Sequence, residues 1–502
     1  MKKYGFLFGA GAEMSYGLPS GGQFALDIFR QDVSEYKQQF RDMRSKVKST
    51  TAYASSELPN NYQNKSVSAF GKSVFENIIK DTIEGNRQLI IKKLTDFDDW
   101  AGGIALSTTL SSGDSVNSVL EELLKNNLDN ISLSQAVSFN NSLSEGDALF
   151  QSKYFSALML VYHKKRITDD NCRAYLRSIL AAILQFQIGA LSANLVRDVN
   201  DNLFEIKDQD EGSIDIFDDL GEVLHINYAS TGIAGMQILF NEVVNAEPET
   251  SEELIVIFAR KILEYLYSSV LDYKTLIDSN WHYLYSPSND WAKFTKIVIF
   301  LLSVRGYIIK QCEGIDDSID GYYDQLKRSV DGDDIELSAI ATTNYNTFIE
   351  KKIGVKVFFL NGSTNNWYDP YLNSLGTKEE LDTDEHHILV PLIFTQSGTK
   401  PMTSIDMSMI YVDTYKQWLE SDALVVVGFG FNRDDEHING LLRRLIDLED
   451  KKLYVVCIGN TKRNDIAKKL KVRNSNNIDI IRVDKKGHLV EDSSKLWIDK
   501  LI

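Results

Sequence analysis

A chain of 502 residues with 43% hydrophobic and 25% charged residues has the balance of a globular protein too long for one simple core, so two or three domains are expected. Its net charge of −17 argues against general nucleic-acid binding, which needs clustered Lys and Arg on the phosphates. The three cysteines, Cys172, Cys312 and Cys457, stand apart and build neither a disulfide framework nor a zinc module; scattered thiols fit a reducing cytoplasm. The opening Met-Lys-Lys runs directly into an apolar stretch without the cleavage site of a signal peptide. The nearest approach to a membrane span, Lys296 to Ile309, is interrupted by Arg305, so no membrane association is expected.

In chain order, Tyr4 to Phe8 is an apolar run of strand length. Gly9 and Gly11 break it, and Pro19, Gly21 and Gly22 mark a second turn before the helical pattern from Gln23 to Phe29. A strand, a glycine turn and a helix gather backbone N–H groups and the positive helix end at one point, a site for a pyrophosphate. Glycine suits the turn because a Cβ would hold the backbone away from the phosphate oxygens. An ordinary strand-to-helix turn carries the same signs, and Met14 stands where the dinucleotide fingerprint has its third glycine.

Ser49 to Ser68 is polar, contains Pro59 and reads as a long loop. Helical spacing follows at Val74 to Leu94 and at Val119 to Leu124, the latter with Ser115 as its cap. It continues at Tyr154 to Tyr162, Cys172 to Leu195, Glu252 to Ser269 and Trp291 to Gln311. Leu176, Ile179, Leu180, Ile183 and Leu184 make the Cys172–Leu195 helix apolar round much of its circumference, as in a helical core. The acidic stretch Asp208 to Asp219 lacks the Asp-x-Asp-x-Asp-Gly order of a calcium loop and reads as solvated.

From Ile335 the texture changes. Ile335–Thr342, Val355–Leu360, Ile388–Phe394, Leu424–Phe429, Leu453–Ile458 and Ile478–Val483 are short runs rich in β-branched residues, with helices at Met407–Leu419 and Glu436–Leu448 between them. That alternation predicts a parallel sheet with crossover helices. Tyr4–Phe8 has no partner nearby and must join this sheet. The expected fold class is therefore α/β, a Rossmann-like parallel sheet made by residues 1–45 and 333–502. Residues 46–332 form a large, mostly α-helical insertion.

Open α/β sheets bind ligands at the carboxyl ends of their strands. Those ends read Gly9-Ala10-Gly11, Thr342-Thr343-Asn344-Tyr345-Asn346, Asn361-Gly362-Ser363 and Gly428-Phe429-Gly430 with Asp435-x-His437. In kind, order and strand-end placement these pieces, together with Gly17-Leu18-Pro19, resemble the sirtuin family, in particular its bacterial antiphage branch of NAD-degrading proteins. The 45–330 interval matches no pattern of that family.

The resemblance implies NAD as the ligand, with Gly9, Ala10 and Gly11 on the pyrophosphate and Gly428 and Gly430 near the adenosine half. Pro19, Thr343, Tyr345, Gly362, Ser363 and Phe429 belong to the same set of cofactor-binding positions. Asn344 matches the family's catalytic Asn, which orients the nicotinamide ribose and the attacking water. Two positions depart from the pattern. Asn361 replaces the catalytic His, so a proton acceptor worth about 10²–10⁴-fold is lost. Loss of neutral nicotinamide from a cationic ring needs no acid, however, and an oxocarbenium-like centre meets water with little base assistance. Glu13 replaces a Ser, and a carboxylate beside phosphates is repulsive unless it points to a ribose. His437, just past a strand end, is the candidate ligand contact among the histidines; His386 and His387 precede a strand and belong to the other end of the sheet.

The resulting expectation is an NAD glycohydrolase that yields nicotinamide and ADP-ribose and serves abortive-infection defence in the cytoplasm. It needs no metal, and it is held inactive through homo-oligomer contacts or a separate sensor subunit. The alternative is a sirtuin-like module that binds NAD or ADP-ribose with little turnover.

Overall fold

The computed structural model describes residues 2–502 except 20, 72–84, 111, 135–136, 140–146, 192–203, 207–232, 241–247, 271–280, 317, 394–402, 433–434 and 460. The chain forms two compact units, Met1–Phe70 with Tyr273–Ile502, and Gly71–Asp272. The first is built on a six-stranded sheet whose pairings are all parallel. Its strands are β1 (Lys3–Phe8), β2 (Glu336–Thr342), β3 (Val357–Phe359), β4 (Ala423–Val427), β5 (Lys452–Ile458) and β6 (Ile478–Val483). They lie in the order β6-β5-β4-β1-β2-β3, so the direction of winding reverses between β1 and β4. The first strand is thus central, with Phe8 beside Thr342 on one side and Val427 on the other.

The period of two along β1 sorts its residues to two layers. Tyr4, Phe6 and Phe8 join a core with Tyr16, Tyr323, Leu326, Phe348 and Trp497. Gly5 lies towards the Ile405–Leu419 helix, where a Cβ would come within 2.5 Å of the Trp418 ring. All five β4 residues, Ala423 to Val427, are buried, as a strand covered on both faces requires. The Tyr4 hydroxyl donates to the Leu501 carbonyl at 2.6 Å, tying the C-terminal turn beneath the same sheet.

Several expectations are corrected. The Ile388–Phe394 run does not enter the parallel sheet: Val390–Pro391 pairs antiparallel with Trp367–Asp369, which also pairs with Ser374–Gly376. Pro391 has no N–H for a second ladder and suits such a short strand; residue 394 lies outside the described residues. Ser49–Ser68 is not one long loop, since it holds the helix Ala52–Ser56 and buries Tyr53, Leu58 and Tyr62. The boundaries at 45 and 333 also differ from those found at 70 and 273. The Trp291–Glu313 and Tyr322–Asp331 helices bury their apolar faces within the sheet unit. Arg305, the interruption in the apolar run, donates through Nε to the Thr364 carbonyl at 2.7 Å.

The second unit is largely helical. Lys153–His163 starts on the Ser152 cap, with the Asp98 carboxylate accepting from the Lys153 N–H at 2.9 Å. Ser115 caps Val116–Leu124 through the Ser118 N–H, as its position predicts. Within this mostly helical interval, Val137–Phe139 and Phe204–Ile206 pair as antiparallel strands. Much of Val74–Leu94, the end of Cys172–Leu195 and the whole of Asp208–Asp219 lie outside the described residues. Among the described residues one helix, Asp170–Leu191, is long and apolar enough to cross a membrane, and 67% of its most apolar window is buried in the fold, which suits a core helix.

Candidate functional site

The site lies where β1 and β4 end, at the reversal of winding. Two loops meet there backbone to backbone. The Gly9 N–H donates to the Val427 carbonyl and the Gly11 N–H to the Gly428 carbonyl, each at 2.9 Å. A Cβ on Gly9 would approach the Gly428 oxygen to 2.7 Å, and one on Gly11 would approach the Gly428 Cα to 2.8 Å. Gly428 itself has φ +66°, and a Cβ there would overlap the Ala12 amide nitrogen, so only glycine fits. These glycines therefore have a reason that the sequence did not show: the two loops need room for each other.

The helix expected after the second turn, from Gln23 to Phe29, is present as Gly21–Arg30. Two short 3-10 turns, Ala10–Ala12 and Met14–Tyr16, follow β1, and the α-helix begins only at Gly21. The N–H groups of Gly9, Gly11, Ala12 and Glu13 are all bonded to backbone carbonyls. Ala10, between them, lines the cleft.

A cleft of about 250 Å3 opens beside this contact, near the lower end of small-molecule sites. Of the residues singled out in the sequence, Ala10, Glu13, Pro19, Thr343, Asn344, Tyr345, Asn361, Gly428, Phe429 and Gly430 line it. Gly9 and Gly11 sit beneath it as the loop contact just described. Gly362 and Ser363 are not on its wall: Gly362, at φ +81°, packs on the Leu392 carbonyl, and the Ser363 hydroxyl bonds Asn366 Oδ1 at 2.6 Å. His437 is not on the wall either; its ring lies 5.8 Å from that of Tyr411.

The asparagines are held by the chain that presents them. The Asn344 N–H donates to Thr342 Oγ1 at 3.0 Å, and Asn361 Nδ2 donates to the Thr343 carbonyl at 3.1 Å. With Nδ2 so engaged, Asn361 Oδ1 is buried without a hydrogen-bond partner, a state that asks for an explanation in a folded protein. Asn346 opens the Phe348–Ile353 helix by accepting from the Phe348 N–H at 3.1 Å, and its Nδ2 donates to Glu13 Oε2 at 2.7 Å.

Glu13 does not point at a phosphate position. It is only 4% exposed, and its other oxygen accepts from the Tyr323 hydroxyl at 2.9 Å. Asn344 Nδ2 reaches the same hydroxyl at 3.4 Å. Burial raises the Glu13 carboxyl from 4.5 to about 7, against the pull of its hydrogen bonds from Asn346, Tyr323 and Asn344.

One wall comes from residues that no sequence pattern marked: Tyr307, Ile308, Gln311 and Cys312 of the Trp291–Glu313 helix. Tyr323 is missed for the same reason, since it lies 310 residues from Glu13 in the chain. Among the described residues lining the cleft there is no Lys, Arg or His. Nor do the described residues contain a group of three or more His, Cys, Asp or Glu side chains placed to hold a metal ion. The buried His387, with Nδ1 2.6 Å from Asp369 Oδ2, belongs to a separate cluster.

No protein-family model matches the chain, and searches of curated proteins and of solved structures returned no significant match.

Proposed function

We propose that this cleft binds NAD and cleaves it to nicotinamide and ADP-ribose, and that the fold is a Rossmann-like, sirtuin-like one. The observation that carries the reading is the meeting of Ala10, Asn344, Asn361 and Gly428 in one cleft, although they come from opposite ends of the chain. The strand order is that of doubly wound dinucleotide-binding sheets, and the cleft lies at their ligand position. The unsatisfied Asn361 Oδ1 suits a ribose hydroxyl.

In this reading Asn344 orients the nicotinamide ribose and the water that attacks its anomeric carbon. The carbon–nitrogen bond breaks as water adds, neutral nicotinamide takes the bonding electron pair, and the water proton passes to solvent. Such an activity kills the cell that holds it, so it is kept inactive until a ligand or partner subunit releases it. The 71–272 unit is the part available for that control, and abortive antiphage defence is the setting that fits. The resemblance that Asn344 and the glycine loops carry supports this assignment. Asn361, which supplies no base, favours the second reading, a module that holds NAD or ADP-ribose with little turnover.

Release of fluorescence from etheno-NAD tests the choice. Turnover that falls by 10²-fold or more in Asn344→Ala supports the hydrolase. Tight NAD binding without turnover supports the module, and full activity in Asn344→Ala refutes the placement of the site.

A further inference from the structure

Glu13 stands where the sirtuin pattern has Ser, and its surroundings indicate what a carboxyl does there. It lines the cleft while meeting the protein through neutral donors, the Tyr323 hydroxyl and Asn346 Nδ2. Asn344 Nδ2 on the Tyr323 oxygen extends the chain to a residue of the cleft wall. A second group points to a ligand independently: Asn361, 4% exposed, has Oδ1 unpartnered while Nδ2 is fixed on the Thr343 carbonyl. The described wall carries two carboxyls, Glu13 and Asp435, and no cationic side chain. Such a wall is matched to a positive ring on a hydroxylated sugar.

We propose that Glu13 reads the charge of the ligand: as a carboxylate it favours the cationic pyridinium–ribose half of an oxidised nicotinamide dinucleotide, and through Tyr323 it fixes Asn344 with Oδ1 towards the cleft. The inference rests on the NAD reading above. In the ligand-free protein burial leaves Glu13 close to half protonated at neutral pH. A cation nearby favours the carboxylate, and the proton leaves to the buffer. A protonated Glu13 would instead donate to Tyr323, whose hydroxyl then turns to Asn344 and forces Nδ2 towards the ligand.

The groups around Glu13 are poor alternative sources of that proton. Burial holds the Tyr323 phenol far above its ordinary range, and burial followed by the hydrogen bond to Asp324 does the same for Tyr16, stacked upon it. Cys312, on the helix across the cleft, is pushed up to about 12, chiefly by burial. Lys352 and Asp324, beside Tyr16, pair with each other at 3.2 Å. The remaining acid on the wall is Asp435, from the turn before the Glu436–Asp447 helix.

Calorimetry at pH 7 in two buffers of different ionisation enthalpy tests the proposal. The ligands are carba-NAD, a carbocyclic analogue that keeps the pyridinium and resists cleavage, and ADP-ribose, which lacks the ring. A tenfold change in the proton affinity of Glu13 releases about 0.4 proton per site on carba-NAD binding, and ADP-ribose releases none. Glu13→Gln abolishes the release and weakens carba-NAD roughly tenfold at pH 8, with the affinity for ADP-ribose unchanged. Binding of carba-NAD without proton release, equal release by both ligands, or release that persists in Glu13→Gln overturns the role of Glu13 but leaves dinucleotide binding standing. Failure of both ligands to bind overturns both. If Glu13→Gln does not fold, the wild-type comparison of the two ligands decides alone.

Discussion

Two buried carboxyls of the sheet unit, Asp369 and Glu13, are handled in opposite ways. Asp369 is fully buried and accepts from the backbone N–H groups of Tyr371 at 2.9 Å and Leu372 at 3.2 Å, with His387 Nδ1 at 2.6 Å on its other oxygen. His387 is enclosed in turn by the rings of Tyr53 and Tyr371 and reaches Glu385 at 3.3 Å. Backbone donors cannot turn away or change role, so this cluster is built to hold one arrangement. Glu13 is bonded instead by a hydroxyl and a side-chain amide, which can rotate or exchange donor for acceptor, and it faces an open cleft. A carboxyl held by fixed donors reads as architecture; one held by adaptable donors at a cleft is poised to respond.

The contrast is sharpest in what removal of each group does. Asp369→Ala leaves two backbone N–H groups and a buried imidazole without their acceptor, and is expected to lose on the order of 3–5 kcal/mol of stability in urea titration. A loss below 1 kcal/mol would mean that the cluster is not the rigid element described.

Glu13 is expected to show itself through pH. Its folded pKa of about 7 lies above the ordinary 4.5 because of burial, so folding is linked to proton uptake. The stability this supplies is complete below about pH 4.5 and is lost as pH rises through about 7, a span worth on the order of 3 kcal/mol. Glu13→Gln, which stays neutral, should flatten that part of the profile and gain on the wild type between pH 5 and 8. Parallel profiles would show that Glu13 does not titrate there.

Tyr323→Phe is the smallest change. It removes one hydrogen bond to a buried carboxyl, with an expected loss of about 1.5 kcal/mol at pH 8 and less at pH 5, where the partner is protonated. A loss independent of pH would show that the phenol serves packing alone.

The strands of the main sheet are legible in the sequence because each is a compact run of apolar residues, most of them β-branched outside Lys3–Phe8, between turn residues. Lys3–Phe8 had to find its neighbours elsewhere, and it did, between β2 and β4. The strand ends that line the cleft are legible for the same reason, since motif and placement coincide at Ala10, Asn344, Asn361 and Gly428. Tyr323 and Gln311 are not, because a helix records which of its faces is apolar but not which core that face meets. The apolar circumference of Trp291–Glu313 says that it is buried; that it walls the cleft is a tertiary fact. Ile388–Phe394 misleads because its composition is that of a buried strand, while Pro391 sets it in a small antiparallel sheet. The direction of Glu13 is equally non-local, being settled by Asn346 and Tyr323.

The central seat of β1 has a consequence for biosynthesis. Its neighbours, beginning at Glu336 and Ala423, leave the ribosome only after more than 300 further residues, which at about 5–20 residues per second is roughly 20–60 s. For that time Tyr4-Gly5-Phe6-Leu7-Phe8 is an unpaired, aromatic-rich edge that invites aggregation or a chaperone. The glycine loops cannot lock until Gly428 emerges, so a nascent chain carries no finished cleft before that point.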